Sequence, residues 1–443
     1  MSPLGLVFLL VCCALVFALP RDRAAVPLLA ACLHMSFGQG VSIAGAYFTV
    51  IRLLIVVVLL RITAKGEWAG FIFTRIDRWM VGFAICLTLS SFFHREPSEA
   101  LKFRLGLVFT SCGIFWSVRA LVRTWDEVEA VLRTISFILV PLAALMVYEH
   151  VSGKNMYSIF GGVPLEAMVR EGKVRSSGPF LHPILAGSAG ATLLPLIAGI
   201  WPIDRKRCLI ACGSCLVMVL MSASSGPLIS LMAGIFALFL WRWRRYLRRM
   251  VWGTFFSLLA LHMIMKAPVW WLMARVDFTG SSTGYFRAQL IDAAIEHASE
   301  WVIAGTDTTR GWMATGVSWS EEQTDITNYF INFGVLGGLP TMIAFIGVLA
   351  SCFLQLRDNR AAEAVTIHSR FDESFIPWGI GCSVFAHMVT FLSVAYFDQT
   401  MVLWFATVAM CACYSDRKPS EVIDSVDHAV EYDPSLRSTN FAV

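Results

Sequence analysis

Apolar runs close to twenty residues long recur from Val7 to Cys413, and a run of that kind crosses a bilayer only if its backbone closes its own hydrogen bonds. A helix does this run by run, so the chain reads as an all-α polytopic membrane protein. About thirteen runs are bounded by charge or by Gly and Pro, beginning with 4–19, 26–43 and 44–62 and ending with 376–395 and 397–414. A twelve-span arrangement needs one early run to be re-entrant or absent. Charged residues make up 15% of the 443 residues, against roughly 25% in a soluble domain, and mean hydropathy is +0.67, which excludes a water-soluble enzyme.

The first run, Met1–Pro20, lacks a basic leading segment and is followed at once by another apolar run, so it is expected to be a retained span and not a signal peptide. Basic residues cluster at alternate connections: Arg21 and Arg23, then Arg61, Lys65, Arg75 and Arg78, then Arg119 and Arg123, and later Arg205–Arg207 and Arg242–Arg249. The positive-inside rule places these turns in the cytoplasm. A net charge of +4 is too small to suggest a nucleic-acid partner. The twelve cysteines all lie in or beside apolar runs, so no disulfide framework is expected. Cys208, Cys212 and Cys215 share a helix face, but no His or carboxylate joins them, which makes them packing residues.

This pattern divides the chain into N-terminal transmembrane helices (1–150), a first long outer loop (151–181), more transmembrane helices (182–267), a large outer loop (268–327), C-terminal transmembrane helices (328–414) and a cytoplasmic tail (415–443) expected to be disordered. Function is sought in the two outer loops, since loops on a rigid scaffold carry sites. Within the second, Thr283–Trp301 reads as a helix with Phe286, Leu290, Ala294, His297 and Trp301 on one stripe.

In the first loop, Lys173, Arg175, Ser176, Ser177, Gly178 and His182 directly precede a span, a grouping that suits an anionic head group. Arg175 equally suits an interfacial anchor, and His182 a helix-start contact. In the second loop the candidates are Arg287, Asp307, Arg310, Asp325 and Asn328, with Glu321 and Glu322 nearby; Asp325 and Thr327 are also good N-caps for the helix that follows. Arg52 and His387 are the ionisable residues nearest mid-span, and Arg52 is a binding candidate on that ground, with a helix–helix contact as the competing reading. Neither loop holds His, Cys and carboxylates at ligand spacing, so no metal and no cofactor are expected.

Three segments resemble the O-antigen ligase and polymerase group of bacterial membrane glycosyltransferases. RSSGPFLHPILAG (Arg175–Gly187) resembles that family's Arg-x-x-Gly-aromatic-x-His-Pro segment, and MSASSGPLISLMAGIFALFLWRWRR (Met221–Arg245) its Ser-rich turn entering a helix pair. YFRAQLIDAAIEHASEWVIAGTD (Tyr285–Asp307), followed by TDITNYFINFGVLGGLP (Thr324–Pro340), resembles the large outer loop with its second arginine. The likeness covers roughly Arg175–Leu339. It implies about 12–13 transmembrane helices in a GT-C-like arrangement with a large, partly helical periplasmic loop, in the bacterial inner membrane. It implies metal-independent transfer of a glycan from a polyprenyl-diphosphate carrier to a hydroxyl of a glycan, lipid or protein acceptor. On matching positions Arg175 and Arg287 would grip the diphosphate, with Arg310, His182 and Asn328 among the substrate-binding residues. Thr327-Asn328-Tyr329 stands where the family has its loop histidine, so the general base passes to Asp325 first, then His297, then Glu321 or Glu322. The competing class is a secondary transporter or flippase for an anionic lipid-linked or polysaccharide substrate. Transporters set paired charges at mid-membrane, whereas here cations, amides and carboxylates gather at the outer mouth.

Overall fold

The computed structural model describes residues 1–43, 45–275, 283–313, 322–366 and 375–414. The tail 415–443 and Glu321 lie outside the described residues. Helices dominate: α1 (Pro3–Ala18), α2 (Val26–His34), α3 (Val50–Ala64), α4 (Arg75–Ser90), α5 (Pro97–Leu121) and α6 (Trp125–Ser152) form the first half. After an outer loop follow α7 (Pro183–Ala198), α8 (Arg205–Met221), α9 (Ser225–Phe239) and α10 (Leu247–Ile264). The second loop carries α11 (Leu272–Arg275), α12 (Thr283–Glu296) and α13 (Ala298–Trp301), and α14 (Tyr329–Thr366), α15 (Phe375–Phe391) and α16 (Gln399–Met410) complete the bundle. Two short hairpins, β1 (Gly40–Ile43) with β2 (Ala46–Thr49) and β3 (Met168–Arg170) with β4 (Lys173–Arg175), are the described strands.

Among the described residues, five helical stretches are long and apolar enough to cross a membrane: Arg75–Phe93, Pro97–Leu121, Trp125–Ser152, Ser225–Ile264 and Tyr329–Asn359. Shorter apolar helices, α1, α7, α15 and α16 among them, belong to the same bundle. The expected span 26–43 is not one helix. Its helical part, α2, is nine residues long, which at 1.5 Å per residue rises about 14 Å, and the chain then turns into the β1–β2 hairpin. Ser36, Gly38 and Gly40 explain the break: a Cβ on Gly40 would lie 2.3 Å from the Phe48 carbonyl oxygen, so the hairpin closes only on glycine.

Contacts between helix ends sort the bundle into two poles. At one, Arg61 at the end of α3 donates to Val16 and Leu19 carbonyls at the end of α1, Arg119 at the end of α5 pairs with Asp77 at the start of α4, and Arg75 meets Asp358 late in α14. Trp241 after α9 meets Phe375 and Trp378 at the start of α15. Arg61, Arg75, Arg119 and the turn that opens Arg242–Arg249 share this end, and we call it the basic pole. The opposite pole holds both long loops. Helix α10 reaches it from a kink at Trp243 and buries none of its own side chains, presenting Trp252, Phe255 and Phe256 outward as a lipid-facing helix would. The twelve cysteines are unpaired.

α14 is broken at Gly337 and Gly338, the latter at φ 77. The break leaves carbonyls exposed within the bundle, and they are taken up: Arg104 donates to the Leu336 oxygen at 2.9 and 2.5 Å, and Thr306 N–H to the Val335 oxygen. His94 ties this to the second loop, with Nδ1 2.5 Å from the Asp307 carboxylate and Nε2 2.5 Å from Arg104. Burial works to raise the Asp307 carboxyl, but the Arg95 backbone N–H, His94 and Arg104 outweigh it and hold it below its ordinary value. Asp307 is thus a clasp for the loop. Arg104→Ala should destabilise the protein by about 3 kcal/mol, because it strands a buried carbonyl and the His94–Asp307 pair together. Equilibrium unfolding in detergent measures this, and an unchanged midpoint would deny the clasp.

Candidate functional site

The first loop ends in a two-residue hairpin whose register, Arg170 opposite Lys173, puts Glu171 (φ 53) and Gly172 (φ 74) at its tip. β4 delivers Arg175 to the turn between α8 and α9. Ser176 N–H bonds the last carbonyl of α8, Met221, at 2.9 Å. Arg175 Nε then donates to the Ser222 carbonyl at 3.3 Å and Nη2 to the Ser224 hydroxyl at 2.6 Å. Ala223 between them sits at φ 44, a left-handed conformation that costs a non-glycine residue about 1 kcal/mol. Behind the loop, Glu149 in the last turn of α6 accepts backbone N–H groups from Ser177 (3.0 Å) and Gly178 (2.8 Å) and is itself buried. This carboxylate fixes the Arg175–Gly178 backbone as a rigid unit.

Arg287 comes to the same turn from the second loop. It lies on α12, whose Asp292 accepts from the indoles of Trp270 (2.7 Å) and Trp271 (2.8 Å) and so holds the helix over the mouth. A Cβ on Gly226 would lie 3.5 Å from an Arg287 terminal nitrogen and 3.3 Å from the Ser393 hydroxyl. The Arg287 guanidinium thus stands within ordinary van der Waals reach of the first turn of α9. Arg175 reaches Ser224 and Arg287 reaches Gly226, two residues on. Between them is the N-terminus of α9, which has no side-chain cap, because the Ser224 hydroxyl serves Arg175 and donates to Ser222 instead. Two arginines and the positive end of a fifteen-residue helix converge on one spot. Burial, then the neighbouring Arg170, pull the Arg175 guanidinium below its ordinary pKa, a strain that an anion would relieve.

His182 caps α7, its Nδ1 accepting from Ile184 N–H at 3.1 Å, which assigns the proton to Nε2 and makes that nitrogen a donor. Asp398, buried at the start of α16, accepts from Leu181 N–H and fixes the approach to it. Burial, followed by the charges of Arg175 and Arg170, pushes the imidazole down to about 4. The sign follows from linkage. The unfolded chain protonates near the ordinary value of 6.5 while the folded chain does not until about 4, so His182 contributes fully above 6.5 and its contribution is lost as pH falls through 4. His182→Asn, which keeps a capping oxygen, should therefore flatten the fall in unfolding temperature between pH 6.5 and 4; an unaltered slope would show that His182 is not held neutral.

The remaining candidates fall elsewhere. Asn328 caps α14: its Oδ1 accepts from Phe330 and Ile331 N–H groups, which engages the carbonyl side of the amide. Asp325 is half-buried on a strap laced to Thr309 by Thr324, and the adjacent Ile326 packs in the same apolar cluster as Phe286, next to Arg287. Arg310 is exposed on that strap's partner segment, its backbone bonded to Glu322. Arg52 lies apart from this group, donating to Thr110, the Tyr47 carbonyl and the Gly106 carbonyl between the first hairpin and α5. His387 is enclosed by Tyr396, Phe391 and Trp404 within the bundle. Among the described residues no three His, Cys, Asp or Glu side chains group as a metal site.

The chain matches no model of a known protein family and none of the curated proteins with which it was compared.

Proposed function

We propose that the protein is a membrane glycosyltransferase of the O-antigen ligase kind, moving a glycan from a polyprenyl-diphosphate carrier to an acceptor hydroxyl at the outer face of the bacterial inner membrane. One observation carries this reading: Arg175 and Arg287, from different loops, meet at the uncapped N-terminus of α9. Forked guanidiniums and helix N–H groups are the donors that fit a diphosphate. In the transfer, the acceptor oxygen bonds to the anomeric carbon as the bond from that carbon to the diphosphate oxygen breaks. The acceptor's proton passes to a base, for which Asp325 is the candidate, and the polyprenyl diphosphate leaves with the bonding electrons. Its developing charge is what the arginines stabilise. The basic pole then faces the cytoplasm, and the bundle crosses the membrane twelve or thirteen times, the short α2 with its hairpin being the early run that decides the number.

The test is transfer by purified protein from a defined polyprenyl-diphosphate glycan, read as free polyprenyl diphosphate and lengthened acceptor. With charge neutralised by arginines, excess chelator should leave the rate within about twofold of its starting value. Loss of activity restored by a divalent ion would reassign the neutralisation to a metal. Carriage of the intact donor across the membrane with no bond broken would favour a flippase.

A further inference from the structure

The basic pole holds a recess of about 180 Å³ that the transfer reaction does not use. Thr74 borders it ahead of α4, Arg119 and Arg123 at the end of α5, Gln355 and Asn359 from α14, and Tyr414 after α16. Arg119 bonds the Ile72 carbonyl at 2.7 Å and Asp77 at 3.1 Å, and its Nε is buried with no hydrogen-bond partner among the described residues. Arg123 differs. Its guanidinium donates to the carbonyls of Ala69 (2.6 Å), Ala120 (3.0 Å) and Glu67, so among the described residues its side-chain hydrogen bonds go to carbonyl oxygens, while the Glu127 carboxylate accepts from its backbone N–H. Gln355 and Asn359 add amides, joined at 2.9 Å.

The loop clamped by these arginines turns large apolar side chains outward. Trp68, Ile72 and Phe73 are 38%, 63% and 55% exposed, directly beside the recess. An exposed aromatic and aliphatic group next to a cationic hollow, at the end of a bundle of apolar helices, is the arrangement of an interfacial lipid contact. A soluble phosphate would use the arginines and leave the apolar group without a role; a phospholipid uses both.

We propose that this recess binds the phosphate of an anionic phospholipid, with Arg123 and Arg119 on the headgroup and the acyl chains against Trp68, Ile72 and Phe73. The proposal is independent of the transfer reaction. Lipid-stripped full-length protein is titrated with dioctanoyl phosphatidylglycerol, dioctanoyl phosphatidylcholine and inorganic phosphate, and bound lipid is counted by native mass spectrometry. Phosphatidylglycerol should bind at one saturable site, phosphatidylcholine at least about tenfold more weakly, and millimolar phosphate should not displace it. Arg123→Gln should weaken the site about tenfold. Gln355→Glu, which keeps the shape and places a negative charge in the recess, should do the same without touching the loop clamp. Three results would overturn the proposal: equal binding of both lipids, full displacement by phosphate, or unchanged affinity in Gln355→Glu. A fourth would as well. The segment after Tyr414 contains six acidic residues, and binding that appears only when Asp424 and Asp427 are changed to Asn would make that segment the occupant.

Discussion

Arg175→Ala and Arg287→Ala should each lower glycan transfer by about 10²–10³ per folded molecule, the cost of removing one preorganised donor to a developing anion. Both effects originate at one turn. Arg175 is anchored on Ser222 and Ser224 and Arg287 stands against Gly226, so a diphosphate on the α9 N-terminus would touch both. Because the two act on one leaving group, the double variant should lose less than the product of the single losses. Lysine should rescue only in part, since an ammonium keeps the charge and loses the fork. Donor consumption normalised to folded protein is the measurement. Wild-type turnover in either alanine variant would remove that arginine from the site and favour the transporter reading.

The sequence carried much of this because the relevant signals are local. Apolar length fixes helices, basic clusters fix one pole, and an Arg-Ser-Ser-Gly segment before a helix announces a turn that can bind an anion. The stripe predicted on Thr283–Trp301 folds largely as α12, with Leu290, Ala294 and Trp301 buried as expected. What stayed hidden depends on partners distant in sequence. Glu149 reads as one acid at the end of an apolar run, and nothing near it shows that Ser177 and Gly178 supply its hydrogen bonds from 28 and 29 residues away. Asp307 looked like a site carboxylate until His94, 213 residues earlier, was seen to hold it. A cap and a ligand draw on the same polar residue types, so the sequence offers Asp325 and Thr327 as caps for α14 where the structure uses the Asn328 amide oxygen. The run 26–43 was read as one span since hydropathy averages over the glycines that turn it into a hairpin.

The choice of base can be argued from length along α12. A base for the acceptor hydroxyl must stand close to the anomeric carbon, which is itself one bond from the diphosphate that Arg287 would hold. His297 is ten residues beyond Arg287, about 15 Å along the helical path, and its imidazole is stacked on Trp312 with Nδ1 2.6 Å from Glu300. Hydrogen bonds from His297 and Trp312 hold the Glu300 carboxyl below its ordinary value and tie the loop together there. The apolar cluster that packs against Ile326 and Phe286 also holds Trp312, on which His297 is stacked, so what favours Asp325 is that the His297 imidazole is already tied to Glu300. Asp325→Asn, which keeps size and polarity, should therefore reduce kcat by about 10²–10⁴ with little change in donor affinity, and should abolish the loss of rate on acidification expected of a wild type with a carboxylate base. His297→Ala should stay within a few-fold of wild type. The measurement is the pH profile of single-turnover transfer for both variants; an intact acid limb in Asp325→Asn, together with a large loss in His297→Ala, would move the base to the histidine and require the second loop to close over the site during the reaction.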